Sequence, residues 1–378
     1  MVVWWILPWI VAAVLLAVTS FTTRDADSRV YITIASRMAA EPINRWIAPQ
    51  WWGAWGMQGI FREHPIGTFI LPALLGRAGY PPTQASFVIT LGAQIVSLLM
   101  FVALAGRLVP ASAARSLAWT LQLLPIAFVF RIRANQEYLL LAGLLIALVG
   151  LDRARRHSAW LLVALSGYVY ALLVKGVFAL LAPVCGALWI VGSPRQAGER
   201  RSIAWVGIML MVALTPIVAW EYERLHVAAT GQSFLDYYLG PRIALEGNAM
   251  TGSMPFPFDK VWNAGWYLGR VAWYAAPWSL LLAGTWWARR TSTSEGSRQW
   301  VGYCAAATLA TVALVALRDT KADRYVFPAY FFAAAGGTVL AIARWPRVER
   351  CALALDRFWP WGPAALWMVL FLGRLALG

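Results

Sequence analysis

Charge is scarce in this chain. Asp, Glu, Lys and Arg make up 13% of its 378 residues, roughly half of the ~25% carried by a soluble globular domain. Lysine occurs only at Lys175, Lys260 and Lys321. The three cysteines, Cys185, Cys304 and Cys351, show no metal-ligand spacing and read as small buried residues. There is no P-loop, GxGxxG, HExxH or Ser-His-Asp signature, which argues against a soluble nucleotide substrate. A His-rich or Ser-based nucleophile is also missing, which argues against acyl transfer. The net charge of +15 has no soluble basic domain to hold it, so nucleic acid is excluded as a partner. The residue alternation of a membrane β-barrel is missing as well.

The chain is 60% hydrophobic, with 23 Trp. Apolar runs fall near 3–20, 85–106, 112–130, 137–151, 158–174, 176–192, 202–220, 266–287, 300–317, 325–343 and 360–377. Most approach the ~20 residues that cross a hydrocarbon core of ~30 Å. The expectation is an all-α, polytopic membrane protein with about eleven transmembrane helices, forming a single domain over 1–378. The first run lacks a basic n-region and a small-residue cleavage site, so it reads as a retained helix. The stretch 64–80 is too interrupted to span and reads as interfacial or re-entrant.

Short Arg-dominated connections, DRARRH (152–157), SPRQAGERR (193–201), ARRTSTSEGSR (288–298) and RWPRVER (344–350), all fall on one side under this count. The positive-inside rule makes that side cytoplasmic, with the N-terminus inside and the C-terminus outside. Arg outnumbers Lys 29 to 3 and Ala, Gly and Trp are abundant, the usage of a GC-rich bacterial genome, which places the protein in a bacterial inner membrane. Most acids then face outward, as do two long loops near 21–84 and 221–265, whose Trp, Tyr, Pro and Gly content suits helices lying in an aromatic interface belt. Anionic membrane lipids are expected neighbours of the basic loops.

Four outward clusters carry the chemistry. Asp25 and Asp27 precede an amphipathic segment, DSRVYITIASRM, with Asp27 at the expected N-cap. A carboxylate fixed at that depth suits a general base or a metal ligand, although a solvated loop acid has the same local sequence. FREHPI brings Glu63 and His64 together, whereas His157 and His226 read as loop residues. RIRANQEY crowds Arg131, Arg133 and Glu137 into one short connection, where the arginines suit phosphate or carboxylate, or pair with Glu137. Lys175 stands at an outer turn, and RDTKADRYVFPAY supplies Arg318, Lys321 and Arg324. A few carboxylates among many cations fit a lipid phosphate or pyrophosphate headgroup. The tryptophans of Gln50-Trp51-Trp52-Gly53-Ala54-Trp55 suit sugar stacking and interface anchoring alike.

The order of these pieces resembles the GT-C superfamily of integral-membrane glycosyltransferases, in the branch of protein O-mannosyltransferases and the lipid A aminoarabinose transferase. Asp27-Ser28-Arg29-Val30-Tyr31 is similar to that family's acidic motif after the first span, with Ser28 where many members carry Glu. Glu63-His64-Pro65-Ile66 resembles its E-K-P-P or H-P-P segment, with Ile66 in place of the second Pro. Val174-Lys175-Gly176, Pro277-Trp278-Ser279 and the stretch from Lys321 through Arg324 and Tyr325 to Tyr330 resemble later family motifs.

The resemblance implies sugar transfer from a polyprenyl-phosphate donor on the extracytoplasmic face. Asp27, with Asp25 beside it, is implied as the base or acceptor-positioning acid. Lys321, Arg324, Tyr325, Lys175, Arg131 and Arg133 are implied as contacts to the donor phosphate, and Glu63, His64 and Glu137 as neighbours of the sugar or acceptor. The C-terminal soluble domain of some members has no counterpart here, so the expected acceptor is a lipid or other small molecule. No cofactor is required. Two acids near a phosphate have the chemistry to hold a divalent cation, but spacing fixes no ligand set. A monomer is expected, because the site lies within one helical bundle. The rival expectation is a transporter or flippase of an anionic lipid-linked substrate, which internal symmetry and mid-span charges would favour; neither is evident.

Overall fold

The computed structural model describes residues 25–52, 58–131, 133–239, 257–283, 294–318, 321–345 and 347–351. The apolar runs 3–20 and 360–377, Trp55 and residues 240–256 of the second long loop lie outside the described residues.

Helix α1 (Ala26–Ala40) shows why the first segment is helical and where it must lie. Tyr31, Ile34, Ala35 and Met38 recur at three- and four-residue spacing and are all buried, the apolar stripe of an amphipathic helix. That stripe packs on Phe69 and Ala73 of α2 (Gly67–Arg77). Trp51, from a short antiparallel hairpin of β1 (Gln50–Trp52) and β2 (Gln58–Ile60), joins the same small core. So do Phe61, Tyr222 and Phe234. α2 has 11 residues, about 16 Å of helix. That is too short to span, in keeping with the interfacial reading of 64–80.

The larger core is built from longer elements: α3 (Pro82–Ala105), α4 (Ala111–Gln122), α5 (Pro125–Arg131), α6 (Glu137–Ala154), α7 (Trp160–Lys175), α8 (Leu181–Gly192) and α9 (Arg201–Thr230). α10 (Phe234–Leu239), α11 (Phe258–Tyr274), α12 (Trp278–Ala283), α13 (Glu295–Ala316) and α14 (Phe327–Arg344) follow. Among the described residues, five segments are long and apolar enough to cross a membrane: 82–105, 160–192, 201–230, 295–316 and 323–344. The protein is therefore all-α and multi-pass.

Segment 160–192 holds two crossings. Its start lies beside Arg153, whose guanidinium stacks on Trp160 at 4.4 Å. Its end returns to the same place, where Trp189 Nε1 donates to Asp152 at 3.0 Å and Arg155 Nη1 donates to Ser193 Oγ at 2.7 Å. The reversal is at Gly176, which has φ +55° and lies against the Tyr238 hydroxyl, so a Cβ there would collide. α6 and α7 approach closely because Gly143 and Gly167 face each other; a Cβ on either would come within 2.9 Å of the other's carbonyl oxygen. Small residues at such contacts let membrane helices pack backbone to backbone.

Several expectations change. The N-cap of α1 is Asp25, not Asp27: its carboxylate accepts from Ser28 N at 3.0 Å, leaving Asp27 in the first turn. The run 266–287 is not one span. Residues up to Tyr274 belong to α11, Ala275–Pro277 break the helix, and α12 then packs its Trp278 carbonyl against Gly337 of α14. The run 112–130 is likewise divided between α4 and α5 before Pro125, which has no amide hydrogen to continue the ladder. His226 is not a loop residue but is buried in α9, with Nδ1 2.9 Å from the Gln232 carbonyl. Cys185 and Cys304 are buried as expected, whereas Cys351 is exposed.

Candidate functional site

The site lies where α6 begins, α7 ends, and the chain turns from α13 into α14. Ser28 ties the first of these to α1. Its Oγ donates to Asp25 Oδ2 at 2.6 Å and accepts from Ala134 N at 3.0 Å. Arg133 Nη1 reaches Asp25 Oδ1 at 3.3 Å, and its guanidinium lies 5.2 Å from the Phe130 ring. Asp25 thus accepts from both ends of this junction. Asp27, two residues on, is ion-paired with Arg324. The Asp27 side chain is 42% exposed against 14% for Asp25, so Asp27 is the more accessible carboxylate.

Arg324 is presented by a short 3-10 turn, Asp323–Val326, that α11 holds in place. Arg270 Nε bonds Asp323 Oδ1 at 3.2 Å, Tyr274 donates to Asp323 Oδ2 at 3.1 Å, and Tyr330 donates to the Asp323 carbonyl at 3.0 Å. The end of α13 is fixed similarly, with Asn263 Nδ2 donating to the Arg318 carbonyl at 2.9 Å.

Beside this turn is a cavity of about 240 Å³. Val177, Phe178, Leu180, Leu314 and Leu317 form its apolar wall, while Glu63, His64, Lys175, Arg318, Arg324 and Tyr325 bring charge and polarity. Three cations surround the Tyr325 ring: Arg318 at 4.5 Å, Lys175 at 5.6 Å and Arg324 at 5.8 Å. Phe178 supports Lys175 and Arg318 from the other side, at 5.2 and 5.4 Å. The faces of these rings attract cations electrostatically, so they hold the charged heads together against mutual repulsion.

Lys175 differs from Arg324 in how deeply it and its acid partner are buried. Its Nζ donates to Glu137 Oε2 at 2.8 Å, and both side chains are almost wholly buried. Glu137 therefore pairs with Lys175 rather than with Arg133, the partner that proximity in sequence offered. His64 is also committed. A carbonyl only accepts, so Nδ1 donates to Pro65 O at 3.0 Å, which leaves Nε2 to accept from the Tyr31 hydroxyl at 3.3 Å. Its ring stacks on Phe69 at 5.5 Å.

The structure thus gathers Glu63, His64, Lys175, Arg324 and Tyr325 on one cavity, with Asp27 paired to Arg324 at its edge and Glu137 bound to Lys175. Lys321 stands apart from the lining, 5.9 Å from the Trp262 ring of α11. Arg131 ends α5, and its side chain lies outside the described portion. The arrangement adds Arg318, Phe178, Tyr238 and Tyr31. Arg318 was visible as one cation of RDTKADRY, but nothing in the pattern ranked it above Lys321. Phe178 and Tyr238 carry no sequence signal beyond being aromatic. Among the described residues, no three His, Cys, Asp or Glu side chains come together in a metal-holding group.

No protein-family model and no curated protein sequence matches the chain. Its backbone is similar to that of ArnT from Cupriavidus metallidurans bound to undecaprenyl phosphate, with a TM-score of 0.65 at 14% identity over 92% of this chain and 62% of that one. The apo state of ArnT gives a TM-score of 0.63 at 15% identity with the same coverage. The apo oligosaccharyltransferase of Archaeoglobus fulgidus gives 0.51 at 14% identity, over 96% of this chain and 56% of that one. The chain therefore spans about three fifths of the length of the proteins it resembles. By fold, it is a multi-pass membrane protein whose backbone is similar to those of ArnT and the archaeal oligosaccharyltransferase.

Proposed function

We propose that the chain is a membrane glycosyltransferase that moves a sugar from a polyprenyl-phosphate donor to a hydroxyl of a lipid or other small acceptor. The observation that carries this reading is the Asp27–Arg324 pair at the edge of a cavity in which Arg318 and Lys175 crowd the same aromatic ring. ArnT, which shares the fold, binds undecaprenyl phosphate, a ligand whose anionic head and apolar tail suit a cationic cavity with an apolar wall.

In this reading Asp27 removes the proton from the acceptor hydroxyl. The acceptor oxygen bonds to the anomeric carbon as the bond from that carbon to the phosphate oxygen breaks. The electron pair leaves on the phosphate, giving inversion. Arg324 and Arg318 offset the charge that grows on the leaving phosphate in a site with little water. Arg324 also joins the two events, since the guanidinium that meets the phosphate already holds the base. Asp25 is a positioning residue, fixing α1 to Ala134 and Arg133. Lys175 adds positive potential without a free charge, Glu63 and His64 border the sugar, and Lys321 lies too far round the turn to share the phosphate. By the positive-inside rule the cavity faces the extracytoplasmic side of a bacterial inner membrane, and one copy of the chain supplies the whole site.

The test is transfer of labelled sugar from polyprenyl-phosphate donors by the full chain in membranes. Asp27→Asn should abolish transfer while expression and folding persist; unchanged transfer by that variant would remove the base.

A further inference from the structure

A second charged cavity, of about 310 Å³, lies at the opposite end of the bundle, between the last turns of α3 and α6 and the first turn of α7. Leu104, Val149 and Trp160 supply its apolar lining, and Arg107, Arg153 and Arg156 its positive charge. The nearby carboxylates are already occupied. Arg107 Nε meets Asp152 at 3.0 Å and its Nη2 meets Glu199, while Arg155 reaches Glu199 at 2.6 Å and Asp152 at 3.5 Å. Arg107, Arg155 and Arg156 share the two carboxylates of Asp152 and Glu199, and Arg153 lies on the Trp160 ring beside them, leaving a surplus of positive charge. Arg153 and Arg156 carry that surplus. Arg156 is 51% exposed and only 3.6 Å from Glu199 at its Nε, and the exposed Arg153 is braced on the Trp160 ring.

We propose that this cavity binds the phosphate headgroup of an anionic membrane lipid. The cavity sits at the ends of helices long and apolar enough to cross a membrane. A phosphate between Arg153 and Arg156 would neutralise the surplus, while its acyl chains lie along the partly exposed Trp160. Basic pockets between transmembrane helices bind anionic headgroups in this way. The apolar wall favours a lipid over free phosphate, which has nothing to place there. The site is remote from Asp27 and does not depend on the proposed sugar transfer.

The experiment is native mass spectrometry of the full chain released from detergent micelles containing equal phosphatidylglycerol and phosphatidylcholine. The wild type should retain one phosphatidylglycerol in preference to phosphatidylcholine, and millimolar inorganic phosphate should not displace it. The double variant R153A/R156A removes exposed side chains and leaves the Arg107 and Arg155 pairs in place, so it should fold. Its preference for phosphatidylglycerol should fall by roughly an order of magnitude or more, from about fivefold per basic residue near an anionic headgroup. R153K/R156K should keep most of it. Equal retention of the two lipids by the wild type would overturn the proposal, as would an unchanged preference in folded R153A/R156A. Displacement by inorganic phosphate would overturn it too, by making this a free-phosphate site.

Discussion

The two ends of the helical bundle use the same side chains to opposite effect. At the Arg-rich end, Arg107 and Arg155 are threaded between Asp152 and Glu199, and Arg155 and Glu199 are entirely shielded from solvent. At the other end only Lys175 is closed in this way, by Glu137, while Arg318 and Arg324 are held round Tyr325 by its ring. The difference lies in how deeply the ion pairs are buried. Where the pair is closed off from solvent it is internal structure, and its desolvation is offset by mutual attraction and hydrogen bonds. Where the pair is open and an aromatic face also holds the cation, as at Arg324, its charge stays within reach of a ligand. Asp27 belongs to the second kind, being paired but accessible.

That contrast can be broken most severely at Asp27. Asp27→Asn should lower sugar transfer by ~10²–10⁴-fold, the range for removing a general base, with no loss of thermal stability in detergent. Arg324→Ala should follow at ~10²–10³-fold, as for loss of one group that stabilises a developing anion. Comparison of kcat with KM should place that loss mainly in kcat. Arg318→Ala tests a cation that lines the cavity on the Tyr325 ring; it should impair transfer more than Lys175→Met does per folded molecule.

The buried pair should respond as structure. Glu137→Gln alone strands the Lys175 charge and should destabilise by about 3–5 kcal/mol. The double variant E137Q/K175M should regain most of that in thermal unfolding. If the double variant is as unstable as the single one, the pair is not the reason for the loss.

The smallest effect is the pH response of the Arg-rich end. Burial alone would raise the Glu199 carboxyl, but hydrogen bonds from Arg107 and Gln196 N, with attraction from Arg155 and Arg107, outweigh it and hold it below the usual carboxylate range. A carboxylate lowered in this way stabilises the fold at pH above its ordinary, unfolded value, and that contribution is lost as pH falls through the lowered one. Thermal stability measured downward through the acidic range should therefore fall less steeply in Glu199→Gln than in the wild type, from a lower starting point.

Local features were legible in the sequence, whereas features depending on distant partners were not. The stripe of Tyr31, Ile34, Ala35 and Met38 is visible as a period, and α1 forms on it. The cap two residues earlier was not visible, because Asp25 and Asp27 are equally good caps and the choice falls to Ser28 and its bond with Ala134. Arg133 to Glu137 is the short distance along the chain, but the Glu137 partner is Lys175, 38 residues on, brought there by the close crossing of α6 and α7. Hydropathy read 266–287 as uniform, since Ala275–Pro277 are apolar enough to hide a break that lies in backbone geometry. In the stretch from Arg318 to Arg324, charge alone made three cations equivalent. The 3-10 turn aims Arg324 at Asp27 and leaves Lys321 over Trp262.

The central claim is that Asp27 works as a base within reach of a phosphate held by Arg324. Single-turnover transfer by Asp27→Asn, with donor retention measured in the same preparation, tests it most directly. The variant should keep the polyprenyl-phosphate donor but transfer no sugar above background. Transfer at the wild-type rate, or loss of the donor with transfer per bound donor unchanged, would contradict it.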